Sequence, residues 1–304
     1  MRNTFLNEIV ERAKVDKNIV MLTGDLGYGC LKSFAVACPD RYFNVGIAEQ
    51  NMMSMAAGLA LEGKKVFIYS IGNFNTLRCL EQIRNDVCYM GLDVNIISVG
   101  AGLEYGQLGF SHHSTEDISC MRAMPNMSVF DPATKSEAQN VAKYMLDTKG
   151  PCYIRLNKRE IEISHKSPTN LNPYIVKTGN SRVAILACGT VLAEAIRASE
   201  MLEVDGISSF VWSVPKIKPI NDKVLIKNLC EFDYIFTVEE HTRLGGFGSM
   251  VAELLCSVKG KKPIQTIIGI DDYVCSVVGD RNFLRKEYRI DAKGICGIIR
   301  KTLR

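Results

Sequence analysis

A chain of 304 residues, 47% hydrophobic and 23% charged, is long enough for two globular domains and apolar enough to bury cores without covalent staples. The net charge of +4 is spread over scattered Lys and Arg, which suits a small anionic ligand and gives no basis for nucleic-acid binding. Eleven cysteines without a Cys-x-x-Cys pair, a charged N-terminus and the lack of a long apolar run argue against disulfides, zinc, a signal peptide and a membrane span, and lead us to expect a cytoplasmic protein.

Residues 3–14 read as a helix. Residues 20–23 read as a strand running into Gly24-Asp25-Leu26-Gly27, and 42–45 as a second strand. The proline-free stretch from Glu49 to Leu61, rich in Met, Ala and Leu, predicts a mostly buried helix. A strand at 66–69, a helix at 75–89 and a strand at 94–99 lead into a glycine-rich loop, 100–111. A helix near 114–122, a strand at 127–130, a helix at 135–147 and a strand at 152–156 follow. Residues 158–178 are polar, include Pro168 and Pro173, and read as a linker. A second unit has strands at 183–187, 208–214 and 233–238 and helices at 190–203 and 249–257. The expected fold is α/β: two doubly wound domains with mainly parallel sheets, 1–157 and 179–304.

Ligands of open parallel sheets bind at the carboxyl ends of the strands. Four turns there carry chemistry. Glu49 opens an apolar helix, where desolvation favours the neutral acid; it can equally be a first-turn glutamate complementing the helix dipole. Phe74 follows a strand and offers either a stacking face or a core side chain. The polar set Arg78, Glu81, Gln82 and Arg84 beyond it reads as a solvated face or a subunit contact. The loop Gly100–Ser114 holds His112 and His113, which suit proton transfer or polar recognition better than metal ligation. Arg155 ends an apolar strand, as an anion clamp or a structural ion pair, with Lys158 and Arg159 close behind it.

In order and spacing these pieces resemble the C-terminal two-thirds of transketolase and of deoxyxylulose-phosphate synthase. The resemblance rests on Val45-Gly46-Ile47-Ala48-Glu49-Gln50, Gly58-Leu59-Ala60, Glu81-Gln82-Ile83-Arg84, Gly109-Phe110-Ser111-His112-His113, Met121–Met127, Gly150–Arg155, Val238-Glu239-Glu240-His241 and Gly245–Ser249. It implies a thiamine diphosphate enzyme that transfers a two-carbon ketol unit from a ketose, expected to be phosphorylated, to an aldose. Glu49 matches the glutamate that bonds N1′ of the cofactor's aminopyrimidine, and Phe74 matches the aromatic stacked on that ring. Ile71 stands where a second aromatic is common, on the expected cofactor wall. His112, with His113 beside it, matches a substrate-channel histidine, and Arg155 matches an arginine on substrate phosphate. Gly100 stands at about the position of another histidine, and Leu108 replaces a frequent acid.

The family's Gly-Asp-Gly…Asn site for diphosphate and Mg²⁺ has no counterpart; Gly24-Asp25-Leu26-Gly27 is not that motif. The resemblance therefore implies a partner subunit that carries those ligands, with self-association giving a heterotetramer. The competing readings are the β subunit of a 2-oxo acid dehydrogenase and a non-catalytic partner that kept the fold.

Overall fold

Two sheets organise the chain in the computed structural model, which describes every residue except Asn221 and Cys275. Strands β1 (Ile19–Thr23), β2 (Tyr42–Asn44), β3 (Lys65–Ile71), β4 (Val94–Val99), β5 (Ser128–Phe130) and β6 (Cys152–Leu156) are parallel, in the order β5-β6-β4-β3-β1-β2. β1 and β4–β6 are Val/Ile-rich with almost every residue buried, as a sheet covered on both faces requires. One face is covered by helices α1 (Arg2–Val15) and α6 (Lys135–Asp147), which pack Phe5, Ile9 and Ala13 with Ala138, Val141 and Met145. Thr134 and Glu137 close a capping box at the start of α6. Helix α3 (Glu49–Leu61) covers the other face through Met52, Met53, Ala56 and Ala57. Short helices α2 (Lys32–Ala37) and α5 (Asp117–Ala123) complete the layer.

Between β3 and β4 the expected continuous helix is broken. A 3₁₀ turn (Leu77–Cys79), one α turn, α4 (Leu80–Gln82), and a π segment (Ile83–Cys88) replace it. Helix α3 keeps its expected bounds, but only one face is buried; Gln50, Asn51, Ser54, Met55 and Leu61 are exposed.

The second sheet runs β12-β11-β8-β9-β7, from β7 (Tyr174–Lys177), β8 (Val183–Ala187), β9 (Phe210–Ser213), β11 (Tyr234–Thr242) and β12 (Ile264–Ile270). Only β7, within the stretch read as a linker, is antiparallel. Helices α7 (Leu192–Val204), α8 (Asp222–Leu229), α9 (Phe247–Cys256), α10 (Arg281–Glu287) and α11 (Ala292–Thr302) surround it. Strand β10 (Lys216–Lys218) crosses back to extend the first sheet, antiparallel to β5. The junction is further pinned by Thr242 N–H donating to Thr115 O at 2.8 Å and Arg122 Nη1 donating to the carbonyls of Gly245 and Gly246 at 2.5 and 3.1 Å. Among the described residues no helix is long and apolar enough to cross a membrane, and the ten described cysteines are free.

Candidate active site

The parallel strands of the first sheet end together: Thr23 is in register with Asn44 and Tyr69, Ile71 with Val99, and Val99 with Leu156. The chain turns outward to β2 before returning across β1 to β3, so a switch point lies between β1 and β3. Glu49, Phe74, the 100–114 loop and Lys158 all leave that rim.

Glu49, 2% exposed, stands in the first turn of α3. Its Oε2 accepts from Arg78 Nη1 at 2.8 Å, while Oε1 is buried without a partner. The Arg78 guanidinium lies 4.5 Å from the Phe74 ring centroid. Phe74 in turn meets His112 edge-on at 5.3 Å, and His112 meets Tyr105 at 6.5 Å. Lys158 Nζ sits 4.3 Å over the Tyr105 ring. Glu49, Phe74 and His112 thus form one continuous arc, as expected. Ile71 joins its far side, in a cavity of about 260 Å³ with Arg2, Tyr69, Tyr105 and Lys158. Tyr105 and Lys158 also line an adjoining cavity of about 680 Å³ that reaches Arg159, Arg281 and Asn282.

Three arc residues escaped the sequence reading as site groups. Tyr105 had a signal, because Gly100 holds φ +86° and a Cβ there would enter the Tyr105 ring. The glycine and the tyrosine are a matched pair, which accounts for the lost histidine at position 100. Arg78 was seen only as one member of a polar set, and Lys158 only as an alternative to Arg155.

His113 does not join His112. The 3₁₀ turn Phe110–His112 sends the two rings apart, and His113 is buried in a separate cleft with Thr115, Glu116, Ser119 and residues of the second unit. Burial lowers its pKa, so the ring is neutral. The expectation that Arg155 holds substrate phosphate is corrected. Arg155 is 1% exposed; Nε lies 2.8 Å from Asp117 Oδ2, and Nη1 donates to Asp131 at 2.9 Å. Nη2 donates to the carbonyls of Ser114 and Glu240 at 2.6 and 3.2 Å. Its fork is filled by protein, and it ties the loop after β4 to β11.

The residues present fit an aminopyrimidine ring. An orphaned, buried carboxylate oxygen beside an aromatic face demands a planar group with an in-plane donor. Among the described residues no cluster of His, Cys, Asp or Glu could hold a metal ion.

Residues 1–163 match the family model of the transketolase pyrimidine binding domain, and 174–295 that of the transketolase C-terminal domain. A putative transketolase C-terminal section of Methanocaldococcus jannaschii is 37% identical over all of this chain and 96% of its own length. One of the two chains of the apulose-4-phosphate transketolase of Actinobacillus succinogenes is 32% identical over 97% of this chain and 96% of its own. Among solved structures, a split gene transketolase described as an inactive β4 tetramer superposes with a TM-score of 0.85 at 33% identity, covering 99% of this chain and 96% of that one.

Proposed function

The chain belongs to the transketolase family, and we propose that it is the pyrimidine-binding subunit of a split, thiamine diphosphate-dependent transketolase. The reaction would move a two-carbon ketol unit from a phosphorylated ketose to an aldose. The observation that carries this reading is the unpartnered Oε1 of Glu49, buried at the strand-end rim with the face of Phe74 nearby through Arg78.

When bound, the cofactor supplies a nucleophilic carbon and an electron sink. The chain's own contribution is orientation and proton placement. Glu49 would hold N1′ of the aminopyrimidine and carry the proton there; Phe74 would stack on the ring with Ile71 on the wall beyond. His112 would hold sugar hydroxyls near the reacting carbon. The phosphate role passes from Arg155 to Lys158, which stands where the two cavities meet, with Arg159 and Arg2 adding positive charge. The same reading divides the chain into a pyrimidine-binding domain, 1–157, and a C-terminal domain, 179–304. It assigns the diphosphate and Mg²⁺ to a partner carrying Gly-Asp-Gly…Asn, in a heterotetramer.

The test is reconstitution with the candidate partner, thiamine diphosphate and Mg²⁺, followed by ketol transfer from ketose phosphates to aldoses. Transfer should need both chains, and this chain alone should bind the cofactor weakly and turn nothing over. Full turnover by the single chain would overturn the split arrangement; decarboxylation of a 2-oxo acid in place of ketol transfer would overturn the reaction.

A further inference from the structure

One side chain already covers both groups assigned to the aminopyrimidine. Arg78 leaves the 3₁₀ turn four residues after Phe74, bonds Glu49 at 2.8 Å and lays its guanidinium over the Phe74 ring at 4.5 Å. A guanidinium is flat and delocalised, with N–H donors in its plane. Toward Glu49 it offers the in-plane N–H that an aminopyrimidine protonated at N1′ would offer, and toward Phe74 the same flat cationic face.

We propose that Arg78 is a placeholder for the cofactor: its guanidinium occupies the aminopyrimidine's position until the cofactor arrives and then swings out. The proposal rests on the functional reading above, and it names a residue that regulates access to that site. A carboxylate as buried as Glu49 is costly to leave charged and unpaired. Arg78 neutralises it in the free subunit. It is also free to leave, because its side chain is 45% exposed and its bond to Glu49 is a single one. Arg155, held by two carboxylates and two carbonyls, has no such freedom.

Removing the placeholder takes away a competitor and leaves the carboxylate needing a partner, and both effects favour the ligand. The experiment uses the full chain and 4-amino-5-hydroxymethyl-2-methylpyrimidine as probe, since that fragment needs only this subunit's half of the site, with binding followed by ligand-detected NMR. A partly exposed ion pair plus a cation–π contact is worth about 1–2 kcal/mol, so Arg78→Ala should bind the probe about five- to thirtyfold more tightly than wild type. Millimolar guanidinium chloride should reverse the gain in Arg78→Ala and leave wild type unchanged. Arg78→Lys, which keeps the charge but loses the plane, should fall between the two, and it serves if the alanine variant folds poorly. Affinity in both variants equal to or below wild type, including no detectable binding by any of the three, would overturn the placeholder. Ketol transfer by the reconstituted enzyme tests the functional reading separately, so the two failures are distinguishable.

Discussion

Arg155→Met separates the structural role of that arginine from a role on phosphate. Truncation strands Asp117 and Asp131, both buried, and strips donors from Ser114 O and Glu240 O. Removing one member of a buried ion pair costs about 3–5 kcal/mol, because the charge left behind is neither solvated nor paired. With roughly 2–4 °C per kcal/mol for a unit of this size, the melting temperature should fall on the order of 10 °C. Adding Asp131→Asn removes one stranded charge and should recover part of the loss. The assay is thermal melting by circular dichroism, with KM measured on a phosphorylated ketose and on its free counterpart. Any rise in KM should be similar for the two. A variant that melts like wild type yet loses affinity for the phosphorylated substrate alone would refute the ion-pair account.

Three further outcomes follow from the same geometry. Glu49→Gln should lower turnover of the reconstituted enzyme by roughly 10²–10⁴-fold, with the melting temperature nearly unchanged because the carboxylate bonds only a half-exposed arginine. Lys158→Met should raise KM about ten- to a hundredfold for a phosphorylated substrate, the loss of one charge-assisted bond of ~1.5–3 kcal/mol, and far less for a neutral sugar. The third concerns pH. Burial lowers the pKa of His241 to about 4 from 6.5, so its contribution to stability is present above 6.5 and lost as pH falls toward 4. Burial raises Glu239 to about 7 from 4.5, so its contribution is present below 4.5 and lost as pH rises through 7. The two oppose each other between 4.5 and 6.5. His241→Asn should therefore unmask a steady loss of stability with rising pH across that window in chemical denaturation, and an unchanged profile would show that one of these groups is not buried as described.

Elements whose signal is local were legible in the sequence. Helices α3 and α6 and strands β4, β6 and β8 have the expected bounds, because a proline-free Met/Ala run, a capping box and unbroken Val/Ile runs each state their structure within one segment. The arc from Glu49 through Phe74 to His112 was legible too, since parallel strands that end in register deliver their following turns to one rim. What could not be read was side-chain direction and long-range pairing. The 75–89 segment has helical composition, but its π turn and its link to Glu49 are decided by tertiary contacts. β7 and β10 are three or four residues long and exist only through antiparallel partners, β9 and β5.

Arg155 shows why the phosphate role was misplaced. Both faces of β6 are covered, so a strand-end arginine must find buried counterions or not be there. Its partners Asp117 and Asp131 lie 38 and 24 residues earlier, at the start of α5 and just after β5, and no periodicity announces that they converge. Lys158, beyond the last residue of the strand, is where the chain first regains solvent and a cation can meet a ligand. The cations near this rim therefore divide by burial: Arg155, fully paired, fixes the loop between the two sheets, while Arg78 and Lys158, each resting on an aromatic ring at the edge of a cavity or carboxylate, are the ones able to exchange protein contacts for ligand contacts.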